Sequence, residues 1–154
     1  MTLRPANAAD LPFLQDVYRK SRESELALLP WSDAQKEAFC AMQFVAQDRG
    51  YRGAYPDGEF LLVEMDGEPI GRLYRAATPA SFHLIDITLR PEWRNRGIGT
   101  QLLRETMSLA AATGLPVQLH VDKSNPARRL YARLGFREVG DAGLYLRLEW
   151  RGAT

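Results

Sequence analysis

The chain carries one cysteine, two histidines and almost no net charge, and each scarcity closes off a class of function. Cys40, being alone, cannot form an intramolecular disulfide. His83 and His120, with one distant cysteine, make no ligand set at zinc spacing, so no metal is expected. The 20 Lys and Arg against 19 Asp and Glu leave a formal charge of +1, which provides no global field for drawing in nucleic acid or an anionic membrane. No apolar run approaches the roughly 18 residues that span a bilayer. Neither nucleic acid nor a membrane is therefore an expected partner. The opening Met-Thr-Leu-Arg-Pro lacks the basic region and apolar stretch of a secretion signal, and with the unpaired Cys40 it sets the expected location as the cytoplasm.

What is there suffices for a globular core. At 154 residues, 45% hydrophobic and 25% charged, the sequence reads as a single domain spanning residues 1–154. A chain of this length buries about 70% of its unfolded surface without staples. Asn7 and Asp10 offer capping side chains ahead of Leu11, Leu14, Val17 and Tyr18, which predicts a helix to about Ser24. Ser32 to Gln35 resembles a capping box, and a stripe at Phe39, Met42, Val45 and Ala46 predicts a second helix ending at Gly50. Phe60 to Val63 and Ile70 to Arg75 read as strands around an Asp66-Gly67 turn. Ser81 to Leu89 is apolar on both faces apart from His83 and Asp86, as a mid-sheet strand is, and Pro91 stops it. Ile98 to Thr113 is a helix closed by Gly114, and Leu115 to Asp122 alternates as a strand, with His120 on its polar side. A short helix with Leu130, Tyr131 and Leu134 ends at Gly135. Phe136 to Val139 and Leu144 to Trp150 are two last strands around a turn at Gly140 to Gly143. The order gives an α/β or α+β domain with a mixed sheet.

The segment with most chemistry in it is Pro91-Glu-Trp-Arg94-Asn95-Arg96-Gly97-Ile98-Gly99-Thr100, a glycine-rich turn flanked by arginines between a buried strand and a helix. Glycines let a ligand approach the backbone, and the helix start adds convergent N–H groups and partial positive charge, a combination that suits phosphate. No Gly-Lys-Ser/Thr follows, which excludes the P-loop. The third glycine of the dinucleotide fingerprint is missing as well.

A second segment, Asn125-Pro-Ala-Arg-Arg-Leu-Tyr131-Ala-Arg-Leu-Gly135-Phe136, follows the next strand. With Arg94-x-x-Gly97-x-Gly99 before it, the sequence resembles the GCN5-related N-acetyltransferases (GNAT). The resemblance runs from Leu3-Arg4-Pro5 to the last strand and is most specific over residues 84–136. Many relatives have one more residue between the Asn and the Tyr; the shorter spacing here, with Pro126 after Asn125, is also a familiar form. The resemblance implies a mostly antiparallel mixed sheet flanked by helices, whose two central parallel strands, here Ser81–Leu89 and Leu115–Asp122, splay apart to admit a thioester. It implies acetyl-CoA as co-substrate. The turn of Arg94, Asn95, Arg96, Gly97, Ile98, Gly99 and Thr100 would hold the pyrophosphate, the strand end near Leu89 would bond the pantetheine, Asn125 would contact the cofactor and Tyr131 would point at its sulfur. Members often form homodimers.

These residue types suit acetyl transfer. An alkylamine of pKa near 10.4 offers its lone pair in only about one molecule in ~10³ at neutral pH, so a base or water chain must take a proton. The departing thiolate needs one, and a tyrosine can give it. No acyl-enzyme signature is present, consistent with direct transfer. His120 stands where some relatives carry a basic Glu, and a hydrogen-bonded structural histidine is the alternative. Asp86 on an apolar strand face is a second base candidate, an orienter of the substrate amine or a structural hydrogen-bonding group, since a buried carboxylate is costly unless paired. Cys40 reads as a small core residue, and Trp93 as packing beneath the glycine turn. The acceptor is an amine of a small molecule or peptide whose identity the motifs do not contain. A non-catalytic acyl-CoA sensor of the same fold is the competing reading, and a nucleotide-binding α/β domain a more distant one.

Overall fold

The structure, a computed structural model, describes residues 1–152. Its helices are α1 (Leu11–Ser21), α2 (Glu23–Leu26), α3 (Asp33–Ala54), α4 (Ile98–Ala112) and α5 (Arg128–Arg133). Its strands are β1 (Thr2–Pro5), β2 (Glu59–Met65), β3 (Glu68–Ala77), β4 (Phe82–Leu89), β5 (Val117–Asp122), β6 (Arg137–Ala142) and β7 (Tyr145–Trp150). The seven strands form one mixed sheet in the order β1-β2-β3-β4-β5-β7-β6. The β1–β2, β5–β7 and β6–β7 pairs are antiparallel and β4–β5 is parallel. The expected α+β class with a mixed sheet and a parallel central pair is what the chain adopts. Two compact units divide it: Met1–Tyr74 with Asp86–Arg96, and Arg75–Ile85 with the chain from Gly97 onward.

In the first unit, β1 is an element that local periodicity does not announce. It has four residues, one of them Pro5, and exists because Thr2 to Pro5 pair with Glu64 to Leu61 far along the chain. Arg4 on β1 donates to both carboxylate oxygens of Asp10 at 2.9 and 2.8 Å and to Glu64 at 3.1 Å. The Arg4 guanidinium holds the Asp10 carboxyl below the usual range. Asp10 also accepts from the Asn7 backbone, and Asn7 from that of Ala9, so the expected capping pair is present, at the start of a 3₁₀ turn leading into α1. The first helix ends at Ser21, and α2 follows as a separate turn.

The Ser32–Gln35 capping box forms reciprocally, with bonds of 2.9 and 3.1 Å. The stripe predicted behind it is corrected in part. Phe39 packs inward as expected, but Met42 and Val45 are 62% and 41% exposed, and the buried residues are Cys40 and Phe44, against Leu14, Tyr18 and Leu26. Burying each such side chain is worth about 1.5–3 kcal/mol. The inner face continues through Gln47, a polar residue that a hydrophobic stripe cannot reveal. The helix also passes Gly50 and ends at Ala54, because Gly50 does not take the left-handed conformation that stops a helix and Tyr51 beyond it packs edge-on against Tyr74 at 6.2 Å.

In the second unit, α4 buries Ile98, Leu102, Leu103, Met107 and Ala110, the side its spacing predicted. On β5, Val117, Leu119 and Val121 are buried while His120 is exposed. The last hairpin is tighter than expected: β6 runs on through Gly140 to Ala142, with a bulge at Val139, and the turn centres on Gly143 and Leu144.

Gly71 on β3 faces β4 so closely that a Cβ would lie 2.5 Å from the Thr88 carbonyl oxygen, whereas a Cβ at Gly50 in α3 would meet open space. Gly71→Ala is expected to lower the unfolding free energy by about 1–3 kcal/mol. Gly50→Ala is expected to raise it by about 0.5–1 kcal/mol. Urea unfolding of both variants checks the pair, and a neutral Gly71→Ala would show that β3 and β4 do not approach this closely.

Candidate active site

In the second unit, Gly97 adopts φ +80°, which a side chain resists, and turns the chain into α4. Among the described residues no side chain caps this helix start. Its first backbone N–H groups lack intrahelical acceptors as in any helix, and Gly97 and Gly99 have open space where a Cβ would stand. The buried Ile98, Leu102 and Leu103 fix the turn to the core. An uncapped helix start with cleared space and aligned donors fits the phosphates of a CoA-type ligand.

The chain leading into this turn belongs to the first unit. Asn95, at φ +60°, bends it. Arg94 donates from Nε to the Leu89 carbonyl at 3.1 Å, and the Arg96 guanidinium stacks on the Trp93 ring at 4.9 Å. Both arginines are exposed, Arg94 anchored through Nε and Arg96 through the face of its guanidinium.

Between β4 and β5 the parallel ladder pairs Phe82 with Val117 and His83 with Gln118, and it does not continue through Leu84 and Ile85 among the described residues. His83 and His120 lie on the same face of this pair, their ring centroids 5.5 Å apart. Burial, reinforced by the neighbouring His120, pushes the His83 imidazole below its ordinary pKa, so His83 favours the neutral form. The sequence placed both histidines on strands but did not pair them. Two-residue counting along each strand from the His83–Gln118 register would have done so.

Asn125 and Tyr131 flank the next helix. The Asn125 side-chain oxygen accepts from Ala127 N–H at 2.9 Å and shapes the turn into α5, leaving its amide nitrogen as the group able to donate outward. Tyr131 is half-buried, edge-on to the buried Phe136 at 5.7 Å, and its carbonyl accepts from the Phe136 N–H at 3.0 Å. Ring and backbone are thus held together.

Asp86, in the first unit, takes the paired arrangement among those its sequence context left open. Its Oδ2 accepts from Arg72 Nε and from Thr88 Oγ1, both at 2.7 Å. Arg72 is 2% exposed, donates also to Gln47 at 2.8 Å and lies over the Tyr74 ring at 4.7 Å. Burial works against the Arg72 charge, and Asp86 outweighs it, so the guanidinium is held more firmly protonated than usual. Arg72 and Gln47 were not singled out by sequence, although a charged residue inside the apolar run of β3 was the signal that a partner was needed. Cys40 is buried and its thiol is pushed up by burial, as a core residue's would be. Among the described residues no group of three or more His, Cys, Asp or Glu gathers at metal-binding range, and no helix is long and apolar enough to cross a membrane.

Known proteins share both sequence and fold with this chain. An uncharacterized N-acetyltransferase of Methanocaldococcus jannaschii is 31% identical over 109 residues, 69% of each protein. The mycothiol acetyltransferase of Thermobifida fusca is 31% identical over 125 residues, 77% of this chain and 38% of that longer protein. The crystal structure of the PaiA N-acetyltransferase of Thermoplasma acidophilum, solved in complex with coenzyme A, superposes with a TM-score of 0.74 at 22% identity, covering 98% of both chains. The acetyltransferase (GNAT) family pattern matches residues 14–136, the stretch that holds α4, β5 and α5 with both motifs, and the chain belongs to that family.

Proposed function

We propose that this acetyltransferase moves an acetyl group directly from acetyl-CoA to a primary amine of a small molecule or peptide. The observation that carries the reading is the uncapped start of α4 at Gly97, cleared for a phosphate-bearing ligand. The N–H groups of Asn95 to Thr100 would hold the pyrophosphate, with Arg94 and Arg96 adding charge. Asn125 would donate to the cofactor, and the end of β4 near Leu89 would bond the pantetheine. When bound, acetyl-CoA supplies a thioester whose acyl carbon is the electrophile.

The chain's own groups then handle two protons. His120 takes one from the acceptor ammonium, freeing the lone pair that forms the new C–N bond. The adjacent His83, kept neutral by burial, leaves room for that proton, since two charged imidazoles 5.5 Å apart would repel. As the C–S bond breaks, Tyr131 gives its hydroxyl proton to the departing sulfur and takes back the second proton of the acylated nitrogen, leaving a neutral amide and a free thiol, and backbone N–H groups stabilise the oxyanion formed between the two events. Asp86 is the second base candidate, and its bond to Arg72 favours a role in holding the strand.

The test is thiol release from acetyl-CoA with a panel of amines, small peptides included; a folded protein that releases no thiol with any amine would overturn the reading. Gly97→Glu is expected to weaken CoA binding by tenfold or more in titration calorimetry, because a carboxylate would enter phosphate space, while the melting temperature changes little; unchanged affinity would remove the turn from the site. Tyr131→Phe keeps the ring and loses the donor, so turnover should fall by roughly 10²-fold with little change in CoA affinity, and wild-type turnover under chemistry-limited conditions would reject the role. In pH–rate profiles, His120→Ala should abolish the acidic limb. Asp86→Asn should retain the limb and lower stability, since Arg72 loses its counter-charge; the reverse pattern would make Asp86 the base.

A further inference from the structure

The row of side chains on the β4–β5–β7–β6 part of the sheet that holds His83 and His120 runs on to residues with no role in the chemistry above. In the second unit, His120 on β5 is directly opposite Arg147 on β7, and Arg147 is directly opposite Gly140 on β6. Opposed residues of antiparallel strands share a face, so His83, His120, Arg147 and Gly140 form a line on the side away from the buried Val117, Leu119 and Leu148. Three of these four carry nitrogen bases or a cation.

The carboxylates on the same face are already engaged. Glu149 accepts from Gln118 at 3.0 Å and pairs with Arg151 at 3.2 Å. Asp122 accepts from the Ser124 hydroxyl at 2.6 Å and from the Ser124 N–H at 2.8 Å, which lowers its pKa. Arg147 is exposed, and among the described residues no hydrogen bond or ion pair holds its guanidinium. The guanidinium instead turns its Nε–Nη2 edge toward Gly140: a Cβ there would be 2.5 Å from both nitrogens and 2.9 Å from Cζ. The glycine gives the arginine the room it occupies.

We propose that Arg147 binds a carboxylate of the acceptor, so that the substrate class is an amine carrying a carboxylate several bonds from the reacting nitrogen. The inference rests on the acetyl-transfer reading, with His120 at the amine. With its Nε–Nη2 edge toward Gly140, the guanidinium keeps its Nη1–Nη2 end to match a carboxylate bidentately, and no local acid competes for it. The spacing follows from the sheet. Gly140 and His120 lie two strand separations apart, about 10 Å. At about 1.2 Å per bond along an extended chain, the anion is roughly six to eight bonds from the nitrogen, the reach of an ω-amino acid or a short peptide carboxylate rather than an α-amino acid.

Matched acceptors test this. Acetyl-CoA turnover would be measured with 6-aminohexanoate and triglycine, each against its C-terminal amide, and with glycine against glycinamide. The acid should exceed its amide in kcat/KM by about tenfold or more for the two longer acceptors, with no comparable advantage for glycine. Whichever longer pair shows the larger advantage separates an ω-amino acid from a peptide as the source of the carboxylate. Arg147→Met should bring the acid-to-amide ratio to about one through the acceptor KM, and Gly140→Ala, which displaces the guanidinium, should lower the ratio in the same direction. A merely structural arginine would not move that ratio. Equal turnover of acids and amides, or a ratio unaffected by Arg147→Met, would overturn the inference and leave acetyl transfer intact. Absence of thiol release with every amine in the panel would overturn the acetyl-transfer reading and the inference with it.

Discussion

Backbone amides and carbonyls must find partners, and the proposed chemistry sits where this fold leaves some of them without one. Most of the sheet meets the requirement through its ladders. Two places do not. The parallel β4–β5 ladder lapses after His83–Gln118, and α4 starts at a glycine that no side chain caps. Both are open by construction: a left-handed glycine turn cannot supply a capping hydroxyl or carboxylate, and Gly97 and Gly99 clear the space in front of the donors. A phosphate-bearing ligand completes such a helix start with charge of the right sign.

Within each unit, packing and hydrogen bonds hold the elements in place. On the α4 side, Ile98, Leu102 and Leu103 are nearly fully buried, so the turn is fixed from its second residue onward. In the first unit the buried Arg72 joins β3 to Asp86 on β4 and to Gln47 on α3. A buried guanidinium is costly to desolvate, and a pair that is fully hydrogen-bonded offsets that cost only in one geometry. The network therefore fixes the registry of β3, β4 and α3 more than it adds net stability.

The parts of the molecule legible in the sequence are those whose signals are local. The capping box at Ser32 and Gln35, the stop at Gly114 and the alternation of β5 all depend on neighbours within a few residues, and all formed as read. The glycine turn was legible for the same reason. What was not legible depends on distant partners. The short β1 needs β2, some sixty residues away, and α3 presents Gln47 inward because Arg72 waits there. Apolar periodicity, which treats Gln as an outward residue, therefore chose Met42 and Val45 instead. The His83–His120 pair and the Arg147–Gly140 contact likewise appear only when register is known.

The central claim is that the open N–H groups at the start of α4 receive the phosphates of CoA. Amide hydrogen exchange resolved at Gly97, Ile98, Gly99 and Thr100, with and without saturating CoA, tests it most directly. The account predicts that exchange at these amides slows by tenfold or more on binding, with smaller changes in β6 and β7. CoA bound to saturation with unchanged exchange at all four amides would contradict it.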